Sequence, residues 1–403
     1  MRICGPGFMY ILMIVKILLS QTDTLTIATY NILNFPGTSY TTRIPYFKKI
    51  LHSIDPDVLV VQEMDSQAGV DYFLNQILNP EYAAVPFHDG PDSDNAIFYK
   101  PAVLTVADVY YIPTNLRDIA EYRMVHNLSG ELLHIFSVHL KAGPGSANEQ
   151  LRLSQVSVLR NYIANLPPSS NLLILGDFNF YSSNEPGFQL LTADTLVLDP
   201  ISLSGDWHNN MSFAPIHTQS TRSELFGGGS SGGLDDRFDL ILISRELIDN
   251  YCDQSYAAWG NDGNHFNLSV NAGINTAVPD SIADALYNAS DHLPVCCDLL
   301  FTQPLSLEQP QAARGFSSYL YPNYPNPFNP STTIRFFLSA FTPVQISVYN
   351  SLGQKVAQVL QETLPAGSYS ISWFPTPFSA SGVYYLHFRA GAYETTRTMI
   401  YTR

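Results

Sequence analysis

The feature that most constrains this fold is a set of short segments in which every residue is apolar. Three of them, Val58–Val61, Leu172–Leu175 and Leu240–Ile243, are each four residues long. That length suits a strand better than a helix. A strand with apolar side chains on both faces is typical of a sheet that is covered on both sides. The segments therefore predict sheets packed between other layers.

Helical periods alternate with these strands between Leu25 and Phe301. One helix is predicted by apolar residues at helical spacing with a proline in the first turn: Ile44, Phe47, Leu51 and Ile54, with Pro45. A second amphipathic helix is predicted over about 147–163. Strands that alternate with helices indicate a layered α/β domain with a mixed sheet.

The pattern changes in the last fifth of the chain. Residues 319–403 contain six short alternating runs, with glycines between several of them and no helical period. This pattern predicts a small β-sandwich. Segment 302–318 is rich in Gln, Pro, Ser and Ala, which is typical of a linker. It would join the α/β domain, 23–301, to the sandwich.

The N-terminus has the layout of a secretory signal peptide, predicted over residues 1–22. Arg2 precedes an apolar run from Phe8 to Leu19 that only Lys16 interrupts. The alternative is a short membrane anchor. The run of about 12 residues is shorter than the ~20 that a spanning helix needs, so the pattern favours export.

Composition excludes a disordered acidic chain, because 45% of the residues are apolar and 12% aromatic. The formal net charge is −15, and residues 23–301 carry 12 Lys and Arg against 32 Asp and Glu. No segment is a basic arm, which argues against a tight electrostatic grip on nucleic acid.

Export would leave three cysteines, Cys252, Cys296 and Cys297. Neighbouring residues of a strand point to opposite faces, so at most one of the last two could reach Cys252. The sequence leaves open whether Cys252 forms a disulfide.

Polar side chains that suit chemistry stand at the ends of several predicted strands. They are Asn31, Glu63, His139, Asp177, Asn179, Asp239, Asp291 and His292. One such residue alone is usually a turn or solvated residue. Together they offer oxygen ligands for Mg²⁺, Mn²⁺ or Ca²⁺ and two imidazoles for acid–base work near neutral pH. Metal-assisted hydrolysis of a phosphate ester needs those groups.

These motifs resemble the endonuclease/exonuclease/phosphatase superfamily, which includes deoxyribonuclease I, abasic-site endonucleases, neutral sphingomyelinases and inositol phosphatases. The matching motifs, in order, are Thr-Tyr-Asn31, Gln-Glu63, Val-His139-Leu, Gly-Asp177-Phe-Asn179, Arg-Phe-Asp239 and Ser-Asp291-His292-Leu-Pro. The resemblance covers about residues 25–301 and implies a four-layer α/β sandwich. The chain departs from the family at one position. Abasic-site enzymes carry an acidic residue two positions after the first Asn, whereas this chain has Leu33, which weakens an interpretation as a DNA-repair enzyme.

The resemblance also implies roles for individual residues. Glu63 would be the main ligand of Mg²⁺ or Mn²⁺, with Asn31 and Asp291 nearby. His292 would orient or deprotonate the attacking water, and Asp239 would hold the other ring nitrogen of His292.

The remaining roles concern the nucleophile and the phosphate. Asp177 would position the nucleophile, and the amide of Asn179 would hold a phosphate oxygen. His139 would contact the phosphate or assist the leaving group, and Lys141 would stabilise charge in the transition state.

Two further segments have the composition of loops. Residues 226–233 form a Gly-rich loop without the strand-to-helix context of a phosphate-binding turn. The acidic stretch Asp89–Asp94 either binds a structural Ca²⁺ or forms a turn before the next strand, and the turn is favoured.

The tail resembles the C-terminal sorting domain of the type IX secretion system. The resemblance rests on Tyr321–Ile334, Val348–Gly353, Ala366–Tyr369 and Ser381–Tyr385. It implies interaction with that secretion machinery and export across the inner and outer membranes of a Gram-negative bacterium, to the medium or the cell surface. The alternative is a carbohydrate-binding or adhesive sandwich.

The leading hypothesis is a secreted, divalent-metal-dependent phosphodiesterase, most simply a non-specific nuclease acting on extracellular DNA or RNA. The alternatives keep the chemistry but change the substrate: a phospholipid or sphingomyelin phosphodiesterase, or a phosphomonoesterase. Lipid-active relatives need an apolar hairpin, and none is obvious in the sequence. We expect a monomer without stable membrane insertion.

Overall fold

The computed structural model describes most of both predicted domains. The described residues are 21–38, 40–92, 94–303, 318–320, 323, 326–338, 341–365, 367–376, 379–391 and 393–402. The predicted signal peptide, 1–22, and linker, 302–318, lie almost entirely outside them, so their boundaries stay predictions.

The N-terminal domain is built on two sheets. Its strands are, in chain order, β1 (Thr22–Phe35), β2 (Val58–Met64), β3 (Ala83–Ala84), β4 (Asp94–Tyr99), β5 (Leu104–Ile112), β6 (Ile119–His126), β7 (Leu132–His139), β8 (Asn171–Asp177), β9 (Val197–Leu198), β10 (Asp239–Ser244), β11 (Ala257–Ala258) and β12 (Val295–Thr302). One sheet has the order β11-β12-β1-β2-β4-β3, and the other has the order β5-β6-β7-β8-β10-β9. β1 and β2 are parallel, as are β7 and β8, while the other neighbours are antiparallel. Both sheets are therefore mixed.

Helices cover the outer faces of the two sheets. They are α1 (Tyr40–Ile54), α2 (Gln67–Tyr72), which continues as a π-helical turn (Phe73–Ile77), α3 (Ser146–Ile163), α4 (Pro186–Thr192) and α5 (Asp280–Ala289). Short 3₁₀ helices span Met211–Ile216 and Arg245–Leu247. The periodicity predicted α1 and α3 but not α4 or α5.

Three hydrophobic cores separate the layers. The central core packs one face of each sheet against the other, with Ile27 and Val60 from one sheet and Ile135 and Leu173 from the other. A second core lies under α1 and α5, and a third lies under α3 and α4. The order of layers is helix, sheet, sheet, helix, which confirms the predicted four-layer α/β sandwich and explains why β2, β8 and β10 are apolar on both faces.

A buried polar network anchors α3 to the second sheet. Glu121 of β6 accepts hydrogen bonds from Arg123 and from Tyr162 of α3, and its carboxylate lies 2.6 Å from His134 Nδ1. Burial alone would raise the pKa of Glu121. Arg123 and His134 outweigh that effect and lower the pKa to about 2. The carboxylate is therefore ionised at neutral pH and fully paired.

The C-terminal domain is a β-sandwich, as predicted. Its strands are β13 (Tyr319–Leu320), β14 (Thr332–Leu338), β15 (Thr342–Asn350), β16 (Lys355–Leu364), β17 (Gly367–Trp373), β18 (Gly382–Ala390) and β19 (Tyr393–Tyr401). They form sheets of order β13-β14-β17 and β16-β15-β18-β19. The core between them includes Ile334, Phe336, Ile346 and Phe388.

Two further findings concern membranes and cysteines. Within the described residues, no helix is long and apolar enough to cross a membrane. Cys252, Cys296 and Cys297 are all free thiols, and the last two are buried in β12.

Candidate active site

Three neighbouring strands of the second sheet place ionisable side chains side by side at one edge of the sheet. β7 ends at His139, β8 ends at Asp177 and β10 begins at Asp239. The register pairs Asp177 with His139 on one side and with Asp239 on the other. All three residues are almost completely buried. They therefore form a row at one edge of the sheet.

Asn31 joins this row to the first sheet. It lies in β1 opposite Gln62 of β2, next to Glu63. Its side-chain nitrogen donates to Glu63 Oε1 at 3.0 Å and to Asp177 Oδ2 at 3.1 Å. Its oxygen accepts the backbone N–H of Leu33 at 3.0 Å. The strand ends of both sheets thus converge on one cluster.

His292 completes the cluster from the loop between α5 and β12. Its Nδ1 lies 2.7 Å from Asp239 Oδ2, and its Nε2 lies 3.8 Å from Asp177 Oδ2. Burial lowers the pKa of His292, but Asp239 and Asp177 outweigh it and raise the pKa well above the usual range. The imidazole is held between two carboxylates.

Asp177 is the most crowded carboxylate of the site. Burial raises its pKa to about 7, and His292 opposes the shift. The charges of Asp239 and Glu63 add to it. Buried like charges of this kind favour a cation nearby.

His139 approaches the same carboxylate oxygen of Asp177 as His292 does. Its Nε2 is 3.6 Å from Asp177 Oδ2 and 3.9 Å from Glu63 Oε1. Burial, with the positive charges of Arg117 and His292, holds the pKa of His139 well below its usual range. At neutral pH this ring is therefore uncharged.

Arg117 is a cation that the sequence analysis missed. It precedes β6, donates to the carbonyl of Leu140 at 3.2 Å and pairs with Asp92 at 2.8 Å. Its Nε is buried and has no hydrogen-bond partner within the described chain. Nothing in the local sequence marks Arg117, because it lies in an irregular loop that the fold brings beside His139.

The Gly-rich loop lies against Asp291. The backbone N–H of Ser230 donates to Asp291 Oδ2 at 2.6 Å. Gly229 has φ +77°, and a Cβ there would come within 2.6 Å of the carboxylate. Asp291 Oδ1 is buried and lacks a hydrogen-bond partner among the residues described. The loop is thus part of the site.

The two predicted phosphate contacts differ in position. Asn179 is buried, with φ +54°, and its side-chain nitrogen donates to the carbonyl of Leu140 at 3.3 Å. Lys141 Nζ bonds the carbonyl of Ala142 at 3.0 Å. Asn179 is therefore held beside Asp177, whereas the ammonium of Lys141 is turned toward its own loop.

Two residues before the Gly-rich loop also belong to the site. Thr218 Oγ1 accepts the backbone N–H groups of Phe238 and Asp239, each at 3.2 Å. The side-chain nitrogen of Gln219 lies 2.5 Å from His292 Nε2. Neither residue stands in a periodic segment, so no sequence pattern could have identified it.

A family model described as the endonuclease/exonuclease/phosphatase family matches residues 28–292, a range that contains all of this cluster. The chain belongs to the endonuclease/exonuclease/phosphatase family. Members of this family are phosphodiesterases and phosphatases, which supports hydrolysis of a phosphoric ester.

A second model, of a secretion system C-terminal sorting domain, matches residues 323–402. It confirms the predicted type IX sorting domain and indicates export to the cell surface or the extracellular space. A search of curated proteins found no match.

Solved structures of the endonuclease/exonuclease/phosphatase fold resemble the N-terminal domain at low identity. TDP2 of D. rerio with a single-strand DNA product is 17% identical over 69% of this chain and 99% of that chain, with a TM-score of 0.49. The human Nocturnin catalytic domain is 17% identical over 70% and 97%, with a TM-score of 0.47. The mannosyl-6-phosphatase Bt3783 of Bacteroides thetaiotaomicron is 14% identical over 69% and 100%, with a TM-score of 0.44.

Enzymes of the endonuclease/exonuclease/phosphatase family depend on a divalent metal ion, and the cluster fits one. Ligand atoms of Asp177, Asp239 and His292 lie within 4.8 Å of one another. Asp239 and His292 already bond each other, so these two suit acid–base chemistry better. The unpartnered Oδ1 of Asp291 and the carboxylate of Glu63 are the oxygen donors that a hard cation prefers.

The acidic stretch that was predicted as either a Ca²⁺ site or a turn ends at Asp94, the first residue of β4. Both carboxylate oxygens of Asp94 lie 3.1 Å from the backbone N–H of Gly90. Burial raises the pKa of Asp94 to about 6. These contacts give the carboxylate a structural role.

Proposed function

We propose that this exported protein is a metal-dependent phosphodiester hydrolase, and specifically a nuclease that cleaves extracellular DNA or RNA. The observation that carries the proposal is the arrangement of His292, whose Nδ1 is bound to Asp239 while its Nε2 faces Asp177 at 3.8 Å. A buried carboxylate on one ring nitrogen orients the other nitrogen as a base.

In the proposed reaction, the neutral form of His292, which its raised pKa makes the minor form at neutral pH, takes a proton from a water molecule at Nε2. Asp177 holds that water in place, and the water oxygen forms a bond to phosphorus. The bond from phosphorus to the leaving oxygen breaks, and that oxygen keeps the electron pair and takes a proton from solvent. Asp239 stabilises the imidazolium that results, since its Oδ2 lies 2.7 Å from Nδ1.

Asn31, Glu63 and Asp291 would hold Mg²⁺ or Mn²⁺. Asn31 would turn its amide so that the oxygen faces the ion. The bound ion would neutralise charge on the phosphoryl group. Glu63 lies near the end of β2 with φ +64°, and its Oε1 accepts a hydrogen bond from the side chain of Asn31.

His139 and Asn179 would bind the phosphoryl group. Because His139 is uncharged at neutral pH, it would act as a hydrogen-bond donor through Nε2, either to a phosphoryl oxygen or to the leaving oxygen. Arg117, beside it, would attract the anionic ester. Lys141 would join them only after leaving its bond to Ala142.

The second imidazole of the cluster, His139 at the end of β7, is consistent with a nuclease. A sugar alkoxide is a poor leaving group and benefits from a hydrogen-bond donor at that position. The family resemblance places a histidine there in secreted nucleases.

A phospholipid or sphingomyelin phosphodiesterase is the second candidate, and one observation favours it. Met211, Leu225, Leu268 and Ile274 are 68%, 79%, 47% and 80% exposed. Two hydrogen bonds join the loops that carry Met211, Leu225 and Leu268. One is between Asn209 and Asn267, and the other is between Ser223 and Ser269. The Gly-rich loop that follows Leu225 contacts Asp291, so an apolar surface lies next to the site.

The test uses the exported full-length chain with four substrates: supercoiled plasmid, RNA, sphingomyelin vesicles and a simple phosphomonoester. Each is assayed with Mg²⁺, Mn²⁺, Ca²⁺ or a chelator. Asp177→Asn, which keeps the size of the side chain but not its charge, is the inactive control. We expect plasmid and RNA to be cut with Mg²⁺ or Mn²⁺. Intact plasmid and RNA under every metal would contradict the nuclease, and cleavage of sphingomyelin or the monoester alone would select that alternative.

A further inference from the structure

Gln219 occupies a fixed position between the two segments that carry Asp239 and His292. Its carbonyl accepts the backbone N–H groups of Asp235 and Asp236 at 2.9 and 3.0 Å. On its other side, Gln219 forms an antiparallel bridge with His292. The backbone of Gln219 is therefore anchored on both sides.

The neighbours of Gln219 reinforce this anchoring. Leu293 N–H donates to the carbonyl of Thr218 at 2.7 Å, and Thr221 N–H donates to the carbonyl of Asp291 at 3.1 Å. Because its backbone is fixed in this way, the side chain of Gln219 starts from a fixed position and in a fixed direction.

The side-chain amide of Gln219 lies at the reactive nitrogen of the proposed base. Its Nε2 is 2.5 Å from His292 Nε2 and 3.4 Å from Asp291 Oδ2. The opposite ring nitrogen is bound to Asp239. The imidazole is therefore held at both nitrogens and cannot turn in its plane while both contacts persist.

An amide suits this position because it carries both a donor and an acceptor. Its N–H group can donate to the lone pair of a neutral imidazole. After half a turn of the amide, its carbonyl can accept from an imidazolium. A carboxylate could serve only the second state, and an ammonium only the first. Glutamine is thus compatible with both states that a base passes through during one turnover.

We propose that Gln219 is a positioning residue. Its amide holds Nε2 of His292 toward Asp177 and then gives up that contact, so that Nε2 can bond the attacking water. This inference rests on the proposed function, because it assumes that His292 is the base. Gln219 itself takes no part in bond making or breaking.

The matched variants are Gln219→Met and Gln189→Met. Methionine keeps the length of the side chain without its hydrogen bonds. Gln189 is a glutamine of α4 whose amide bonds the carbonyl of Ser183, away from the cluster. Both variants are compared with the full-length chain using bis(4-nitrophenyl) phosphate and Mg²⁺.

We expect Gln219→Met to lower kcat about 10- to 100-fold, less than the loss of a donor that contacts the transition state directly. KM should change less than about threefold, because the contact is not made to the substrate. The melting temperature should match that of wild type, and Gln189→Met should keep full activity. A wild-type kcat for Gln219→Met, or a loss explained by unfolding, would overturn the proposal.

Two further measurements complete the test. Gln219→Glu has the same length but no N–H donor, so it should also lose activity, and a wild-type kcat for it would refute the donor role. Histidine side-chain ¹⁵N spectra are recorded on the metal-free protein, prepared with a chelator. The Nε2 chemical shift of His292 should differ from that of wild type in Gln219→Met but not in Gln189→Met. Because these spectra need no substrate, an unchanged Nε2 shift would overturn the contact itself. If wild type cleaves no ester but the shift appears, the proposed function has failed rather than the contact.

Discussion

Gly229 and Asp291 are so close that no other residue fits at position 229. A Cβ on Gly229 would lie 2.6 Å from Asp291 Oδ2, and the backbone there has φ +77°. We therefore expect Gly229→Ala to displace either the loop or the carboxylate, and so to weaken Mg²⁺ binding about tenfold. Titration calorimetry with Mg²⁺, together with the plasmid assay, would measure this effect.

Gly227→Ala is the matched control for that change. Gly227 also has a positive φ, +64°, but nothing lies within 4 Å of the Cβ that it would gain. It carries the same backbone strain without the contact to Asp291. Equal Mg²⁺ affinities for the two variants would show that strain, not the approach to Asp291, is responsible.

The pairing of Asp239 with His292 predicts the effect of removing either charge. Asp239→Asn would favour the wrong tautomer of His292, and we expect kcat to fall about 10³- to 10⁴-fold, as for other Asp–His pairs. His292→Ala should lose at least as much. Rates measured on the plasmid, normalised to the folded fraction, check both variants.

His265→Ala provides the control for this pair. His265 Nδ1 lies 2.8 Å from Asp262 Oδ1, but no carboxylate cluster faces its other nitrogen, which lies 2.9 Å from the carbonyl of Ala272. Its removal should leave the rate per folded molecule unchanged. A near-normal rate for His292→Ala would refute the assignment of the base.

The network of Glu121 predicts how stability depends on pH. The folded pKa, about 2, is below the ordinary value of 4.5. The stabilisation of the folded state by the ionised Glu121 carboxylate is therefore fully present above about pH 4.5 and is lost as the pH falls toward 2. Glu121→Gln should lower the free energy of unfolding by about 3 kcal/mol at pH 7 and by progressively less below pH 4.5.

Urea unfolding of both proteins at pH 7, 5, 4 and 3 would measure this difference. Glu81→Gln, which alters an exposed carboxyl group, serves as the control and should change stability little at any of these values. A difference between wild type and Glu121→Gln that stays constant with pH would contradict the assigned pKa.

Sequence patterns predicted the fold where apolar residues are continuous. The apolar run Val58–Val61 marked β2, but the strand extends to Met64 because Gln62 and Met64 still pair with neighbouring strands. α5 was missed because three of its buried residues are alanines, which give a weak helical period. Hydrophobic periodicity reports burial and says little where small or polar residues continue an element.

The candidate site, like the fold, could be predicted only in part from the sequence. His139, Asp177 and Asp239 could be grouped from sequence, because strand ends in register bring such residues together. Gln219 and Arg117 could not, because each reaches the cluster from an irregular loop. Their positions depend on contacts between segments far apart in the chain, such as the bridge from Gln219 to His292. No local pattern encodes contacts of this kind.

The charge of the N-terminal domain predicts an unusual response to salt. Residues 23–301 carry 12 basic and 32 acidic side chains. Carboxylates of the cluster, such as Asp177 and Asp291, account for few of these, so most of the negative charge faces solvent and repels a polyanion. A protein that grips DNA through 6–10 phosphate contacts loses about 10³- to 10⁵-fold in affinity between about 50 and 200 mM salt. Here, salt should screen repulsion as well as attraction.

We therefore expect plasmid cleavage at fixed Mg²⁺ to change less than about threefold over that range of salt, or to rise. Bis(4-nitrophenyl) phosphate, which carries a single charge, is the control for salt effects on the chemistry itself. The ratio of the two rates isolates substrate binding. A steep fall in that ratio would contradict the expectation and would indicate a basic contact surface, for which Arg117 and Lys141 would be the first residues to replace.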